Sequence, residues 1–401
     1  MNFPKLHVIL DADFSFGTLA GLVSNRARPA HNKVAQVAPR YFETRERHVG
    51  PKTFNIPAVD KLESLELNIV ASGCSNDCCH CGEKSIRQSG LHVSHTKDIE
   101  FIVSRFAELK AAGKVAGMGI NLLEEPFRRG DLLSLAGTIS RIDPEAFSTI
   151  STADGSLIRR EDNVQLLERM KEFGLRTIQV SFQGFGERHD DRVKNKGNYS
   201  HLIETARLAV SCGLKLVPTV FLYKDNLTEW QNTMLDLKRV KDDLPEQVRF
   251  AIAVHHGNCR AIEHLRLEEG DLSELPDDIV EPLTSSNRTE RQWHEEFKDT
   301  DVILAKDVNR KSVWVLSGFS IYDGPPLSEY KLGALDTAQP LFALVSRHSN
   351  AKQRILEIVN GQDFVPEVAD PGCTKLHDKR SIIELWLTRY CQRHGIDLEL
   401  R

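Results

Sequence analysis

The stretch Leu65-Glu66-Leu67-Asn68-Ile69-Val70-Ala71-Ser72-Gly73-Cys74-Ser75-Asn76-Asp77-Cys78-Cys79-His80-Cys81 decides how this chain is read. It opens as a short apolar run of strand character, passes through a glycine, and then places four of the eight cysteines within eight residues. Three residues separate Cys74 from Cys78 and two separate Cys78 from Cys81. A tight loop with that spacing can point three thiolates at one inorganic centre. Structural zinc takes four ligands, as does an iron–sulfur cluster held by cysteine alone. A cubane held by three cysteines keeps one iron open. Two other readings compete: a zinc knuckle that recruits Cys79 or His80, and a chance clustering of thiols.

The spacing resembles the radical S-adenosylmethionine (radical SAM) superfamily, whose signature is Cys-x3-Cys-x2-Cys with a ring-bearing residue, here His80, before the last cysteine. The resemblance implies a [4Fe-4S] cluster on Cys74, Cys78 and Cys81, with SAM chelated at the open iron. It also implies one-electron cleavage of SAM to a 5'-deoxyadenosyl radical that takes a hydrogen atom from substrate. In such enzymes the cofactor carries the hard chemistry, while the protein holds and shields it.

Composition bounds the alternatives. A chain of 401 residues is long enough for two domains or one barrel with additions. Hydrophobic content of 40% and charged content of 27% are ordinary for a soluble protein. A net charge of -5 argues against a general nucleic-acid or anionic-membrane binder. No apolar run approaches the ~20 residues of a spanning helix. The segment from His7 to Val23 carries Asp11 and Asp13 and lacks the basic start and cleavage site of a signal peptide. A cytoplasmic protein is therefore expected, with thiols or cluster ligands in place of disulfides. Cys212, Cys259, Cys373 and Cys391 are scattered singly and read as buried or incidental thiols.

From Leu65 onward, short apolar strands alternate with amphipathic helices, the pattern of a parallel sheet covered by helices. Strands are expected at 65–72, 117–123, 147–153, 176–182, 214–222 and 247–255, with helices near 95–113, 131–142, 162–173, 199–212 and 228–243. In the first helix, Ile99, Ile102, Val103, Phe106, Leu109 and Lys110 share a face, and Gly113 ends it. The fold class is α/β: a partial (β/α)6 TIM-like barrel at 62–268, with an N-terminal extension at 1–61 and a small α+β capping region at 269–401. The cysteine loop then lies at the C-terminal end of the first strand, where barrel chemistry sits. The radical SAM resemblance covers about residues 62–268 in order and count of elements.

The N-terminal residues are less clear. His7 to Leu10 has strand character, and Arg26 to Lys52 is loop-like, with seven Lys or Arg against two Glu. It reads as a solvated arm wrapped on the barrel or as a lid over the site.

Strand ends supply the remaining chemistry. After strand two comes Asn121-Leu122-Leu123-Glu124-Glu125-Pro126, where the family usually carries Gly-Gly-Glu-Pro. Aligning the prolines puts Glu125 at the acidic position, and Leu123 and Glu124 at the glycines, so by resemblance this loop binds the SAM amino group. Strand three ends in Ser151-Thr152-Ala153-Asp154-Gly155; the hydroxyls of Ser151 and Thr152 suit ribose or carboxylate oxygens, and Asp154-Gly155 reads as a turn.

Strand four, Gln179-Val180-Ser181-Phe182-Gln183-Gly184, precedes a His189-Asp190 segment and Gly197-Asn198-Tyr199, a run that resembles radical SAM proteins related to the SPASM group. Ser181 and Gln183 share a strand face toward the SAM pocket, and Arg188 or Arg192 is a basic partner for the SAM carboxylate. After strand five, Asn226 either contributes to the site or opens a helix. Strand six ends in His255-His256, candidates for proton transfer or substrate binding, of which at most one faces the barrel.

Beyond Leu267 the barrel pattern stops. Residues 266–300 are acidic and read as loop-rich. Asp301–Ala305 and Val313–Leu316 read as a hairpin, and Tyr330–Leu335 resembles the segment that closes a SPASM or twitch domain. No cysteine lies between 260 and 372, so a degenerate, cluster-free version capping the barrel mouth is expected. Helices near 340–360 and 380–394 are expected to pack on the barrel.

The function expected is a radical SAM enzyme acting on a small polar metabolite (a sugar, aminocyclitol or nucleotide intermediate), in biosynthesis. Its partners are that small molecule and a reductant such as flavodoxin or ferredoxin, with no nucleic acid and no membrane. Peptide or protein modification is the alternative substrate class, and a zinc-stabilised binding protein is the alternative of a different kind.

Overall fold

The computed structural model describes residues 59–395, apart from 79–80, 82–91, 94, 148–149, 253–259, 298–309, 324–329, 336–339, 351–352, 354–357, 359–363, 365, 367 and 371. Strand β1 (Leu62–Val70) lies parallel to β2 (Val115–Leu123), with Asn68 opposite Asn121, and helix α1 (Thr96–Ala111) makes the crossover. Leu65, Leu67 and Ile69 point to one face of β1 and join Ile99, Ile102, Val103 and Phe106 of α1 in a fully buried layer. Each such side chain contributes about 1.5–3 kcal/mol by leaving water. The alternate residues, Glu66 and Asn68, therefore face the concave side of the sheet.

The unit repeats. Helix α2 (Leu132–Ile142), β3 (Ile150–Ala153), α3 (Asn163–Glu172), β4 (Thr177–Phe182), α4 (Gly186–Val193), α5 (Asn198–Ser211), β5 (Lys215–Phe221), α6 (Trp230–Val240) and β6 (Arg249–Ala251) follow in order. Strands β3 to β6 form one parallel sheet. Among the described residues, one parallel bridge, Ile120 to Phe147, links β2 to the segment before β3. All six expected strands and five expected helices are present. Helix α4 was not foreseen; its eight residues, Gly-Glu-Arg-His-Asp-Asp-Arg-Val, carry no apolar stripe.

The C-terminal region departs from expectation. Residues 266–300 are not loop-rich: they include α7 (Asp277–Ser286), β7 (Asn287–Thr289) and α8 (Glu290–Phe297). Pro282 inside α7 and the acidic composition hide an apolar face of only Ile279 and Leu283. The strand expected at 313–316 is β8 (Arg310–Val315), but its hairpin partner is β9 (Ser320–Tyr322), followed by β10 (Lys331–Ala334). The other expected partner, 301–305, lies outside the described residues. Strand β8 also runs parallel to β1, with Val313 opposite Leu67 and Ser312 opposite Glu66. It therefore extends the barrel sheet on the free edge of β1, in the order β10-β9-β8-β1-β2.

Helix α9 (Leu341–Val345) covers five residues of the first expected late helix. After β11 (Leu376–Asp378), helix α10 (Lys379–Arg393) packs on α8. Phe297 meets Trp386 edge-on at 6.1 Å, and the Trp386 indole donates to Glu290 at 2.9 Å. Among the described residues no helix is long and apolar enough to cross a membrane.

Candidate active site

The loop after β1 leaves the sheet at Ala71 and is held by groups from three other strand ends. Asp154, just past β3, accepts the Ser75 amide at 2.9 Å and the Ser75 hydroxyl at 2.7 Å, and its Oδ2 lies 3.4 Å from Cys74 Sγ. Asn195, past α4, donates to Asn76 Oδ1 at 2.7 Å and to Ser75 Oγ at 3.2 Å. The Asp77 amide donates to the Val193 carbonyl at 2.8 Å. Arg128, after β2, donates to the Gly73 carbonyl at 2.8 Å. Cys74, Cys78 and Cys81 are half-buried and uncrosslinked on this loop. Cys74 Sγ also accepts the Asn76 N–H at 3.4 Å.

Two carboxyls meet behind the loop. Glu125 is 1% exposed, and its Oε2 accepts the Asp154 amide at 2.5 Å. Burial and the neighbouring Asp154 charge raise the Glu125 carboxyl well above its ordinary range, so Glu125 is the proton-bearing member of the pair. Burial pushes Asp154 up as well, but the hydrogen bonds from Ser75, Glu125 and Ser156 outweigh it and hold Asp154 below its usual value. Glu124, at a position the signature fills with glycine, has φ of 65°. The backbone thus keeps the left-handed turn that glycine would adopt without strain.

A buried relay joins β4 to the same point. The Gln183 amide donates to His189 Nδ1 at 2.9 Å, which leaves the ring proton on Nε2 to donate to Asn198 Oδ1 at 2.9 Å. Asn198 in turn donates to the Asp154 carbonyl. His189 has no exposed surface, and burial lowers its pKa, which keeps the imidazole neutral. Asp190 next to it accepts the Gly197 and Tyr199 amides at 2.5 and 2.8 Å and so caps α5. The His-Asp pair is therefore the joint between two helices and the strand end. Gly155 has φ of 90°, and a Cβ there would meet Asn198 Nδ2 at 2.9 Å.

The radical SAM superfamily profile matches residues 68–237, from the middle of β1 into α6. Residues 68–237 are a radical SAM domain. No curated protein matches the sequence. Among solved structures, native anSMEcpe with bound AdoMet is similar at a TM-score of 0.51 and 14% identity, over 84% of this chain and 98% of the other. The same protein with bound AdoMet and Cp18Cys peptide is similar at 0.50 and 13%, over 84% and 99%. Streptococcus suis SuiB bound to S-adenosylmethionine follows at 0.39 and 14%, over 71% and 64%. The first two show likeness of fold over most of the chain.

The three thiols fit a [4Fe-4S] cluster by donor chemistry: they are soft, uncrosslinked and partly accessible, and they follow the first barrel strand. Among the described residues no three His, Cys, Asp or Glu side chains already converge on one point.

The other residues singled out in the sequence are dispersed around the loop. Ser151 and Thr152 line a cavity of about 310 Å³ together with Asn121, Leu123 and Glu124, at the gap between β2 and β3. Ser181 is half-buried on the concave face of β4. Gln183 is buried, its side chain taken by the Tyr223 hydroxyl. Arg192 is also buried: it donates to the Gln183 carbonyl at 2.7 Å, pairs with Asp225, and lies 3.8 Å above the Tyr223 ring. Its guanidinium is thus engaged in holding the β4 and β5 ends together. Arg188 pairs with Glu229 at 2.7 Å and Asp225 at 3.1 Å. Asn226 bonds the Tyr223 amide and the Phe221 carbonyl and shapes its own turn. His255 and His256, like Cys79 and His80, lie outside the described residues. Asp154 is what the sequence reading missed as a site residue; a turn-forming Asp-Gly masked its grip on the cysteine loop.

Proposed function

We propose that this radical SAM enzyme acts on a small polar metabolite held in the barrel lumen. When bound, the cluster and SAM supply the one-electron cleavage that generates a hydrogen-abstracting radical. Cys74, Cys78 and Cys81 are the cluster ligands in this reading, and Asp154 and Asn195 brace their loop. Glu125, Ser151, Thr152 and Ser181 are the groups offered to SAM, and either His255 or His256 serves proton transfer or substrate binding. The unit at 62–268 carries the reaction, and β8 extends its sheet beyond β1. An external low-potential reductant, flavodoxin or ferredoxin in kind, delivers the electron.

One observation carries the choice of substrate. The concave face of the sheet is polar along β1, β2 and β8: Asn121 donates to Glu66 and, at 3.1 Å, to Asn68, which donates to Ser312 at 2.7 Å. On β4, β5 and β6 the register row is Ser181, Thr219 and Arg249. Such walls suit a ligand that makes many hydrogen bonds. The alternative is a peptide substrate, on the likeness in fold to anSMEcpe with its Cp18Cys peptide.

The test is anaerobic reconstitution with iron and sulfide, followed by SAM and dithionite. About four irons per chain and release of 5'-deoxyadenosine, stimulated by pooled amino sugars and cyclitols, are expected. Stimulation by cysteine-containing peptides alone would assign the peptide reading. A colourless, zinc-holding protein would overturn both.

A further inference from the structure

We infer that Glu66, Asn68, Asn121 and Ser312 form a ligand subsite that reads an ammonium group on a hydroxyl-bearing molecule; the inference rests on the small-metabolite reading above. Strand register brings the four together: Glu66 stands opposite Gly119 on β2 and Ser312 on β8, and Asn68 stands opposite Asn121. Both protons of hydrogen-bonding consequence on the Asn121 amide are spent on Glu66 Oε1 and Asn68 Oδ1, and the Asn68 amide reaches Ser312 Oγ. These bonds orient the ladder. They leave Glu66 Oε2 and the Ser312 hydroxyl proton without a hydrogen bond among the described residues.

Glu66 is half-buried, and among the described residues no Lys, Arg or His forms an ion pair with it. Its neighbours in the ladder are all neutral. A partly desolvated carboxylate without a cation favours a ligand that brings one, and it disfavours a carboxylate or phosphate at the same place. Arg249, on the far side of the lumen, is exposed and belongs to a different row.

There is room for the ligand. A Cβ built on Gly119, directly across from Glu66, would meet no atom within 4 Å, and one on Gly117 would meet only the Glu63 carbonyl at 3.6 Å. Two glycines on the concave face of β2 thus leave open space before the carboxylate. Asn121 also lines the cavity that holds Ser151 and Thr152, so the ladder is continuous with the groups offered to SAM.

Equilibrium dialysis of the reconstituted, SAM-loaded protein against radiolabelled glucosamine and glucose tests this, since the two probes differ in one ammonium for one hydroxyl. The expected result is retention of glucosamine about tenfold tighter than glucose, the size of one charge-assisted hydrogen bond. Glu66→Gln, with an unchanged melting temperature, should bring the two within about twofold, and Gly119→Leu, which fills the space without touching the carboxylate, should weaken both. Equal retention of the sugars by the wild type, or a preference that survives Glu66→Gln, overturns the subsite. The tripeptides Gly-Lys-Gly and Gly-Met-Gly separate the two readings. If neither sugar is retained but Gly-Lys-Gly is preferred in a Glu66-dependent way, the ammonium subsite stands and the small-metabolite reading falls. If none of the four probes shows Glu66-dependent retention, the subsite itself is wrong.

Discussion

Asp154 Oδ2 receives both the amide and the hydroxyl of Ser75, at 2.9 and 2.7 Å, and so ties the end of β3 to the cysteine loop that follows β1. The contact spans 79 residues of sequence. It puts a carboxylate 3.4 Å from Cys74 Sγ, inside the region where three thiols must be gathered. Asp154→Ala removes the acceptor and leaves the Ser75 amide to find another. The expected cost is about 2–3 kcal/mol of stability, with faster iron loss on gel filtration of the reconstituted protein. Wild-type iron retention would show that Asn195, Val193 and Arg128 suffice to hold the loop.

Each of Cys74→Ala, Cys78→Ala and Cys81→Ala should abolish cluster absorbance and 5'-deoxyadenosine formation, because a cubane with only two protein thiolates is not retained. Cys79→Ala and Cys212→Ala should do neither; Cys212 is buried, and burial raises its thiol pKa. Activity retained in any of the first three variants would refute the ligand assignment.

Glu125→Gln keeps an oxygen that can accept the Asp154 N–H but cannot become the carboxylate that would pair with the SAM ammonium. Iron content and melting temperature should therefore stay near wild type, while SAM affinity falls by about tenfold, or ~1.4 kcal/mol. Unchanged SAM affinity, measured by equilibrium dialysis, would make Glu125 a purely structural residue.

His189 carries a sign that can be worked out. Its pKa is lowered in the fold by burial, so below about pH 6.5 the unfolded chain binds a proton that the native relay refuses. Stability from this residue is full above about pH 6.5 and is lost as pH falls, by at most about 1.4 kcal/mol per unit. Urea unfolding of the apo-protein at pH 7.5 and 5.5 should show that loss in the wild type and a smaller one in His189→Gln. An equal loss in both would place the pH dependence elsewhere, as at His201, whose pKa is also lowered by burial.

Gly155→Ala must adopt φ near 90° and press its methyl against Asn198 Nδ2 and His201 Cβ, 2.9 and 3.0 Å from the built position. A destabilisation of about 1–3 kcal/mol is expected in thermal or urea unfolding. A neutral substitution would mean that the Asn198–Asp154 contact yields without cost.

Most of the barrel was legible because its signals are local. Apolar alternation in Leu65, Leu67 and Ile69 and the helical spacing of Ile99, Ile102, Val103 and Phe106 mark β1 and α1 without reference to the rest of the chain. The cysteine spacing is likewise a short-range property, and it identified the domain. The region after 268 was misread where periodicity is short or masked: α7 contains Pro282, and α8 has only eight residues.

By itself, then, the sequence determined the order of the six barrel strands and of five of the helices between them, the thiol loop and the acid after β2, because each is encoded within a dozen neighbouring residues. Tertiary structure alone decided that β8 joins the free edge of β1, that Arg192 is committed to Asp225 and Tyr223, and that Asp154 grips the cysteine loop. The partners in those contacts lie 31 to more than 200 residues apart, and a polar side chain shows its partner only when the fold brings a complementary group within about 3 Å.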